Sequence, residues 1–345
     1  MTYRVTILPR NITLTVEAHE TILEAAHRQG FNFPYGCDAG SCYVCAGSLE
    51  SGTLKIKTNN EQVHAGDGDD SNTDDVLFCL AQPLTDCSIF IEGVLAPGEH
   101  PMINASCQVT NITPMGNDTI EVELRLPAGK KIDFHPGQYL QVILDEETEC
   151  AFSIGSIPNK ERTLQLYVGF SDKDERSRRL RAAFTTGNVV TISLPHGNCY
   201  LKNLESTAPL FLVAGSTGIS QIKSIAEQCI REQNDTTAAQ RQIFIYWGTR
   251  TTSELFLNDF FLNMTKSNNN IHYTPVVAEP DATWKGRTGF VHKAMLDDHD
   301  ISDDAEIVLC GSPGMAYAVL DDFLATGIKE QQVQSDVFDY APRNN

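Results

Sequence analysis

Long apolar runs are missing from this 345-residue chain. Stretches such as "PLFLVAG" stop far short of the ~18 residues that suggest a membrane span. No basic N-terminal segment followed by an apolar one is present, so a secretory leader is not expected and the chain reads as cytoplasmic. Basic charge is scarce as well: 26 Lys and Arg stand against 45 Asp and Glu, a net charge of −19 with a pI near 4.8. That balance excludes the electrostatic footprint of a nucleic-acid binder and leaves proteins and small molecules as partners. Internal repeats and low-complexity tracts are absent too. The Asn-x-Ser/Thr triplets at Asn11, Asn104 and Asn111 carry no meaning without secretion. What remains is ordinary globular composition, 41% hydrophobic and 21% charged, with length for two or three domains.

Cysteine is the residue that is crowded. "FPYGCDAGSCYVCAG" (33–47) places Cys37, Cys42 and Cys45 within nine residues, and Cys79 in "VLFCLAQP" follows after 33 more. Cytoplasmic thiols are kept reduced, so the cluster points to metal or redox chemistry rather than to a disulfide framework. Zinc usually takes two separated pairs, whereas C-x4-C-x2-C with a distant fourth cysteine is the plant-type [2Fe–2S] spacing. Gly36, Ala39, Gly40, Ser41 and Ala46 are small enough for backbone N–H groups to approach the sulfurs. The other cysteines, Cys87, Cys107, Cys150, Cys199, Cys229 and Cys310, have no ligand spacing and read mostly as small buried apolar residues.

The pattern along the chain changes twice. "YRVTIL" and "ITLTV" alternate like two strands, and "TILEAAHRQG" opens with the capping box Thr21-x-x-Glu24. After the Gly- and Pro-rich "EGVLAPGEHP", six alternating segments from "CQVTNI" to "VVTISL" suggest a small antiparallel barrel. From Ala208 onward, apolar strands such as "LFLVAG" and "IFIYWG" alternate with helices, the first carrying Ile219, Ile222 and Ile225 on one face, and suggest a parallel sheet. The expected division is 1–93, a linker over 94–102, 103–205 and 206–345.

Two strand ends in the last part carry glycine turns, "AGSTGIS" and "IVLCGSPGM". Gly215 and Gly218 would let a pyrophosphate approach a helix N-terminus, although the turn lacks G-x-G-x-x-G and an ordinary glycine turn has the same appearance. Cys310 and Gly311 lie at the same sheet edge, where parallel sheets bind ligands. Cys310 is either a core residue or part of a nicotinamide pocket.

These segments together resemble the ferredoxin–NAD(P) reductase-type flavoproteins that carry an N-terminal plant-type [2Fe–2S] domain. The domain order is that of reductases serving CDP-6-deoxy-glucoseen formation and of oxygenase reductase components, while "YWG" and "GFVHKAM" are similar to NAD(P)H:flavin reductases. The resemblance implies three folds: a β-grasp ferredoxin domain, a six-stranded antiparallel β-barrel for flavin and an α/β parallel-sheet nucleotide domain. It implies a [2Fe–2S] cluster on Cys37, Cys42, Cys45 and Cys79, with FAD (FMN as the alternative) and NADH (NADPH as the alternative) elsewhere. Tyr139 enters the flavin site from "HPGQYLQV". Ala151, Phe152 and Ser153 match the family's flavin-contacting strand, with Phe152 stacking on the ring and Ser153 near its N5. Ser177 matches a phosphate-capping serine. Gly215, Thr217, Gly218, Arg250, Cys310, Gly311 and Phe338 complete the cofactor-binding set, and Ser153 and Cys310 shape the hydride site. The family arginine before the flavin strand is Cys150 here, so the flavin phosphate loses a cation that Arg176, Arg178 or Arg179 would have to replace.

Three functions follow as expectations. One is a reductase passing single electrons to an oxygenase or sugar-dehydratase partner, the second an NAD(P)H:flavin oxidoreductase, the third a redox sensor without turnover. Residues 1–92 hold 13 Asp/Glu against 5 Lys/Arg, densest at "GDGDDSNTDD". That stretch is either a solvated loop or a steering surface for a basic protein acceptor docking near the ferredoxin domain.

Overall fold

In a computed structural model the chain is described over residues 1–65, 75–116, 118–129, 132–171, 174–204, 206–234 and 240–343. Of the acidic stretch, Asp67, Asp69, Asp70 and Asp74 lie outside the described residues, and with them the steering reading. The chain divides into two compact units, Met1–Pro101 and Met102–Asn345.

The first unit begins with β1 (Thr2–Leu8) and β2 (Ile12–Glu17), antiparallel, followed by α1 (Ile22–Arg28). Alternation puts Val5, Ile7, Leu14 and Val16 inside. The capping box forms: Glu24 N–H donates to Thr21 Oγ1 at 3.2 Å and Thr21 N–H to Glu24 Oε2 at 2.8 Å. After the cysteine loop come β3 (Ala46–Ser51), β4 (Thr53–Ile56), β5 (Gln62–His64), β6 (Val76–Leu77), β7 (Ala81–Pro83) and β8 (Cys87–Phe90). One mixed sheet runs β2-β1-β8-β3-β6 and a small one β5-β4-β7. The β3–β6 pairing, Ala46 opposite Leu77, matters most for the site, because it lays the residues after Cys45 beside those before Cys79. Phe78, fully buried and edge-on to Phe33 at 6.0 Å, anchors that pairing.

The second unit opens with β9 (Ile103–Gly116), β10 (Thr119–Arg125), β11 (Tyr139–Asp145), β12 (Thr148–Ser153) and β13 (Thr163–Gly169), then α2 (Glu175–Ala183) and β14 (Val189–His196). These six strands form one antiparallel sheet, β12-β11-β14-β9-β10-β13. A closed barrel was expected, but among the described residues the edge strands β12 and β13 form no ladder. Past Ser153 the chain leaves its strand: Gly155 N–H reaches Gln165 O at 2.7 Å, and the next rung is replaced by a side chain, Gln165 N–H donating to Ser156 Oγ.

Beyond it lie β15 (Leu210–Gly215), α3 (Ile219–Asn234), β16 (Ile243–Thr249), α4 (Asn258–Ser267), β17 (Ile271–Val277), β18 (Arg287–Thr288), α5 (Val291–Asp298), β19 (Glu306–Cys310), α6 (Pro313–Ala325), β20 (Val333–Gln334) and α7 (Val337–Tyr340). The strands pair in parallel in the order β18-β17-β16-β15-β19-β20. Ile219, Ile222 and Ile225 of α3 are fully buried in the core that also holds Trp247. Among the described residues no helix is long and apolar enough to cross a membrane.

Trp247 links this core to the site. Its indole N–H donates to Ser216 O at 2.8 Å, which holds Ser216 in a left-handed conformation (φ +50°) that a non-glycine residue rarely adopts. Trp247→Phe should therefore lower unfolding stability by roughly 2–4 kcal/mol, from lost core volume and the lost indole hydrogen bond. Denaturant titration measures this, and a loss below about 1 kcal/mol would show that the bond to Ser216 is dispensable.

Candidate functional site

The cysteine loop is curled by left-handed residues at Asp38, Gly40 and Tyr43, with φ of +54°, +73° and +58°. Two of the three are not glycine, so the surrounding structure must enforce their conformation. The curl turns N–H groups toward sulfur: Ser41 N–H lies 3.4 Å from Cys37 Sγ, and the backbone of Ala39 also bonds it. A bond from the Ser41 hydroxyl, followed by these backbone donors, pulls the Cys37 thiol down to about 6. Cys79 goes the other way, pushed up to about 11 first by burial and then by Cys45 beside it. At Gly36 a side chain would crowd Cys42, since a Cβ would lie 3.2 Å from its Sγ.

The four thiols are arranged as pairs. All four are free thiols; Cys42 neighbours Cys37 and helps hold it down, and Cys45 neighbours Cys79 and helps push it up. Among the described residues no three His, Cys, Asp or Glu converge on one point as the ligands of a single ion do. Two thiol pairs with inward N–H groups fit a two-iron cluster better than mononuclear zinc. Of the remaining cysteines, Cys87, Cys107, Cys150, Cys199 and Cys229 are buried, and Cys310 is half-buried.

The second site is a cavity of about 650 Å³ between the two sheets of the second unit. The antiparallel sheet contributes Tyr139, Ala151, Phe152 and Ser153, and the parallel sheet contributes Gly215, Thr217, Gly218, Cys310 and Gly311. Residues read from the sequence at four separate places thus meet. The Ser153 hydroxyl bonds the Cys310 thiol, which desolvation pushes up to about 12, so it is neutral at ordinary pH. Tyr139 is held flat by a stacked His196, ring centres 5.3 Å apart.

Packing by itself requires Gly218 to be bare, whatever ligand approaches it. A Cβ there would lie 2.6 Å from Cys310 O and 3.0 Å from its Sγ, so this glycine lets β19 pass beneath α3. At Gly215 and Gly311 the same space is taken by Met315 Sδ. Three other expected residues lie outside the lining of this cavity. Phe338 packs against Tyr317 at 5.5 Å instead of lining the cavity, because on α7 the residues that share the cavity face are Asp336, Val337 and Tyr340. Ser177, expected to cap a phosphate, lies in the first turn of α2, whose N-cap is Asp174, and its hydroxyl oxygen accepts from Ser171 N–H at 3.0 Å. Arg250 lines a second cavity of about 650 Å³, which shares Gly215, Ser216 and Ser312 with the first. There Glu254 accepts from Arg250 N–H at 3.0 Å.

Near Cys150, Arg178 pairs with Glu175, and Arg179 with Asp145 at 2.5 Å. Arg176 is exposed, and its charge, with that of Arg179, is felt at the Cys150 thiol, which burial raises.

Gln221 and Asp336, both lining the first cavity, were not singled out in the sequence. Asp336 accepts N–H groups of Asn198 and Cys199 at 3.0 and 3.1 Å and the Gln221 amide at 3.1 Å. No sequence pattern marks them, since a lone Asp near a C-terminus and a Gln on a helix have no spacing to read.

The chain matches two family models, a 2Fe-2S iron-sulfur cluster binding domain over residues 5–84 and an oxidoreductase NAD-binding domain over 212–321. It is 29% identical over 338 residues to the CDP-6-deoxy-L-threo-D-glycero-4-hexulose-3-dehydrase reductase of Yersinia pestis, covering 98% of this chain and 99% of that one. It is 32% identical over 222 residues to an NAD(P)H-flavin reductase of Vibrio harveyi, covering 63% of this chain and 90% of the relative. The crystal structure of the Amycolatopsis cytochrome P450 reductase GcoB shares its fold, with a TM-score of 0.65 at 21% identity over 97% of this chain and 98% of that one. Fold and site therefore define an NAD(P)H-dependent oxidoreductase with an iron–sulfur module, not a sensor without turnover. The chain belongs to the ferredoxin–NAD(P) reductase-type flavoproteins with an N-terminal [2Fe–2S] domain, whose cofactors are the cluster, FAD and NAD(P)H.

Burial raises Asp336 from 3.8 to about 6 against its three N–H donors, and Asp339 adds like charge; Tyr139, Cys199, Cys310 and Tyr340 also face it. The folded protein keeps this proton to higher pH than the unfolded chain, so the stability it brings is complete below about 4 and is lost as the pH rises through about 6. The melting temperature of the wild type relative to Asp336→Asn should fall between pH 4 and 7. Parallel melting profiles would show that the carboxyl is not desolvated.

Proposed function

We propose that this protein is the reductase component of a two-protein system, taking hydride from NADH and delivering single electrons through its cluster to a separate protein acceptor, an oxygenase or a sugar dehydratase. One observation carries the reading: the same chain holds paired thiols ready for a one-electron centre and a cavity lined from two sheets. An enzyme that only releases reduced flavin has no use for the former. The Yersinia dehydrase reductase, matched along 98% of the chain, supports it. On this reading the first unit is a β-grasp ferredoxin domain over 1–93 and the segment 94–102 a linker. Residues 103–205, an incompletely closed barrel, hold flavin, and residues 206–345 hold the nucleotide.

Tyr139 and Phe152 offer flat faces to the flavin ring, and the Ser153–Cys310 pair, uncharged at ordinary pH, keeps charge out of the space between two reacting rings and holds them in register. Flavin supplies a hydride acceptor that can release electrons one at a time, which NADH cannot do. Thr217 and Gly218 receive the pyrophosphate where α3 begins, and the second cavity takes the adenosine end. There the Glu254 carboxylate disfavours a 2′-phosphate, which supports NADH over NADPH. A second reading, flavin as a released substrate, is favoured by Cys150 and by the committed Ser177 hydroxyl, which leave Arg176 to meet the flavin phosphate.

The purified protein should show both cluster and flavin absorption, and NADH added without oxygen should bleach both. Cys42→Ser should lose the cluster spectrum and reduction of cytochrome c while NADH still reduces flavin. Wild-type cytochrome c reduction by that variant would sink the proposed path. Flavin lost at each turnover, with saturable dependence on added flavin, would favour the second reading.

A further inference from the structure

Hydride transfer needs the two reacting atoms within about 3–3.5 Å, and a misplacement of 1 Å can cost 10²-fold in rate. Here the flavin and nicotinamide faces of the cavity are built on different sheets, so their separation is set wherever those sheets are joined. The join is the first turn and a half of α3. Its isoleucines face the parallel sheet, while its polar side chains reach the antiparallel one. Ser220 Oγ donates to Ser153 O at 3.0 Å, Lys223 Nζ donates to Gly155 O at 2.8 Å, and Ser224 Oγ accepts from Gly137 N–H at 3.1 Å.

Gln221 differs from these in joining three other segments at once. Its two side-chain N–H groups are shared among three oxygens, Gly137 O at 2.6 Å, Asp336 Oδ2 at 3.1 Å and Cys199 O at 3.3 Å. Gly137 is two residues before Tyr139, Cys199 three residues after His196, and Asp336 begins the segment that ends in Tyr340. All three acceptors are oxygens, so the amide has one workable orientation, and a flip would set its own oxygen against them. Gln221 is 2% exposed and Asp336 9%, so water is a poor substitute. Close packing enforces the same junction: at Gly137 (φ +105°) a Cβ would lie 2.4 Å from Cys199 O.

We infer that Gln221, anchored on Asp336, is a positioning residue for hydride transfer: it fixes how far the ring held against Ser153 stands from the ring held against Cys310. The inference rests on the NADH-to-flavin reading above. Gln221 touches neither the C–H bond that breaks nor the N–H bond that forms; it acts through Gly137, Cys199 and the C-terminal segment.

The test uses the full chain with its cluster and FAD, mixed with NADH in an anaerobic stopped-flow instrument. Gln221→Met keeps the length and removes the donors. Its limiting rate of flavin reduction should fall at least tenfold, with the long-wavelength charge-transfer absorbance of the nicotinamide–flavin complex diminished. The dissociation constants of FAD and NADH should stay within about threefold. In the flavin-free protein, amide exchange should rise at residues 137–140 and 198–200. A folded Gln221→Met with limiting rate and charge-transfer band within twofold of wild type would overturn the inference. If Gln221→Met does not fold, Asp336→Asn, which sets an amide donor against the Gln221 donor, is judged by the same two criteria. Wild-type flavin that NADH fails to reduce would refute the functional reading itself, whatever Gln221 does.

Discussion

The cavity of this protein exists because one short polar turn is bonded to two sheets. The start of α3 sends Ile219, Ile222 and Ile225 into the core of the parallel sheet and Ser220, Gln221, Lys223 and Ser224 to backbone atoms of the antiparallel one. Neither sheet alone encloses a ligand. Their junction brings Phe152 and Ser153 opposite Gly218 and Cys310, and that opposition is what a hydride donor and acceptor require. Backbone oxygens at Gly137, Ser153, Gly155 and Cys199 each lose a donor without these side chains, and a buried oxygen left unsatisfied costs about 1–3 kcal/mol. The polar face is therefore as constrained as the apolar one.

The cysteine loop solves a different problem with similar means. A two-iron cluster needs four thiolates and several donors aimed at sulfur, all within a stretch too short for regular structure. Left-handed turns at Asp38, Gly40 and Tyr43 supply the curl, and the β3–β6 pairing brings Cys79 across a long gap to Cys45. The opposite displacements of Cys37 and Cys79 follow from their surroundings: one is bonded by Ser41 and backbone donors, the other desolvated beside a second sulfur.

Where the chain departs from its family, local chemistry explains the change only in part. Cys150 is buried in the core of the antiparallel sheet, and Arg176 and Arg179 bring positive charge near it from α2. Arg179 is already bonded to Asp145 and Thr148. Ser177 is bonded within its own turn, so the helix start offers less to a phosphate than the sequence pattern implies.

Spacing and periodicity alone determined the candidate ligand cysteines, the capping box at Thr21, the six antiparallel strands and the alternating strands and helices after Ala208. Those features are local: each depends on residues a few positions apart, and side-chain period or ligand spacing is written directly in the order of residues. Ser153 and Cys310 could be placed at strand ends, but their hydrogen bond could not, since 156 intervening residues separate them. Open edges in place of a closed barrel, Phe338 turned away while Asp336 and Tyr340 face inward, and Gly218 bare for Cys310 were decided by tertiary structure. Each depends on which atoms of distant segments fill the same space. Gln221 was invisible for the same reason: a glutamine on a helix becomes a junction only when three remote oxygens converge on its amide.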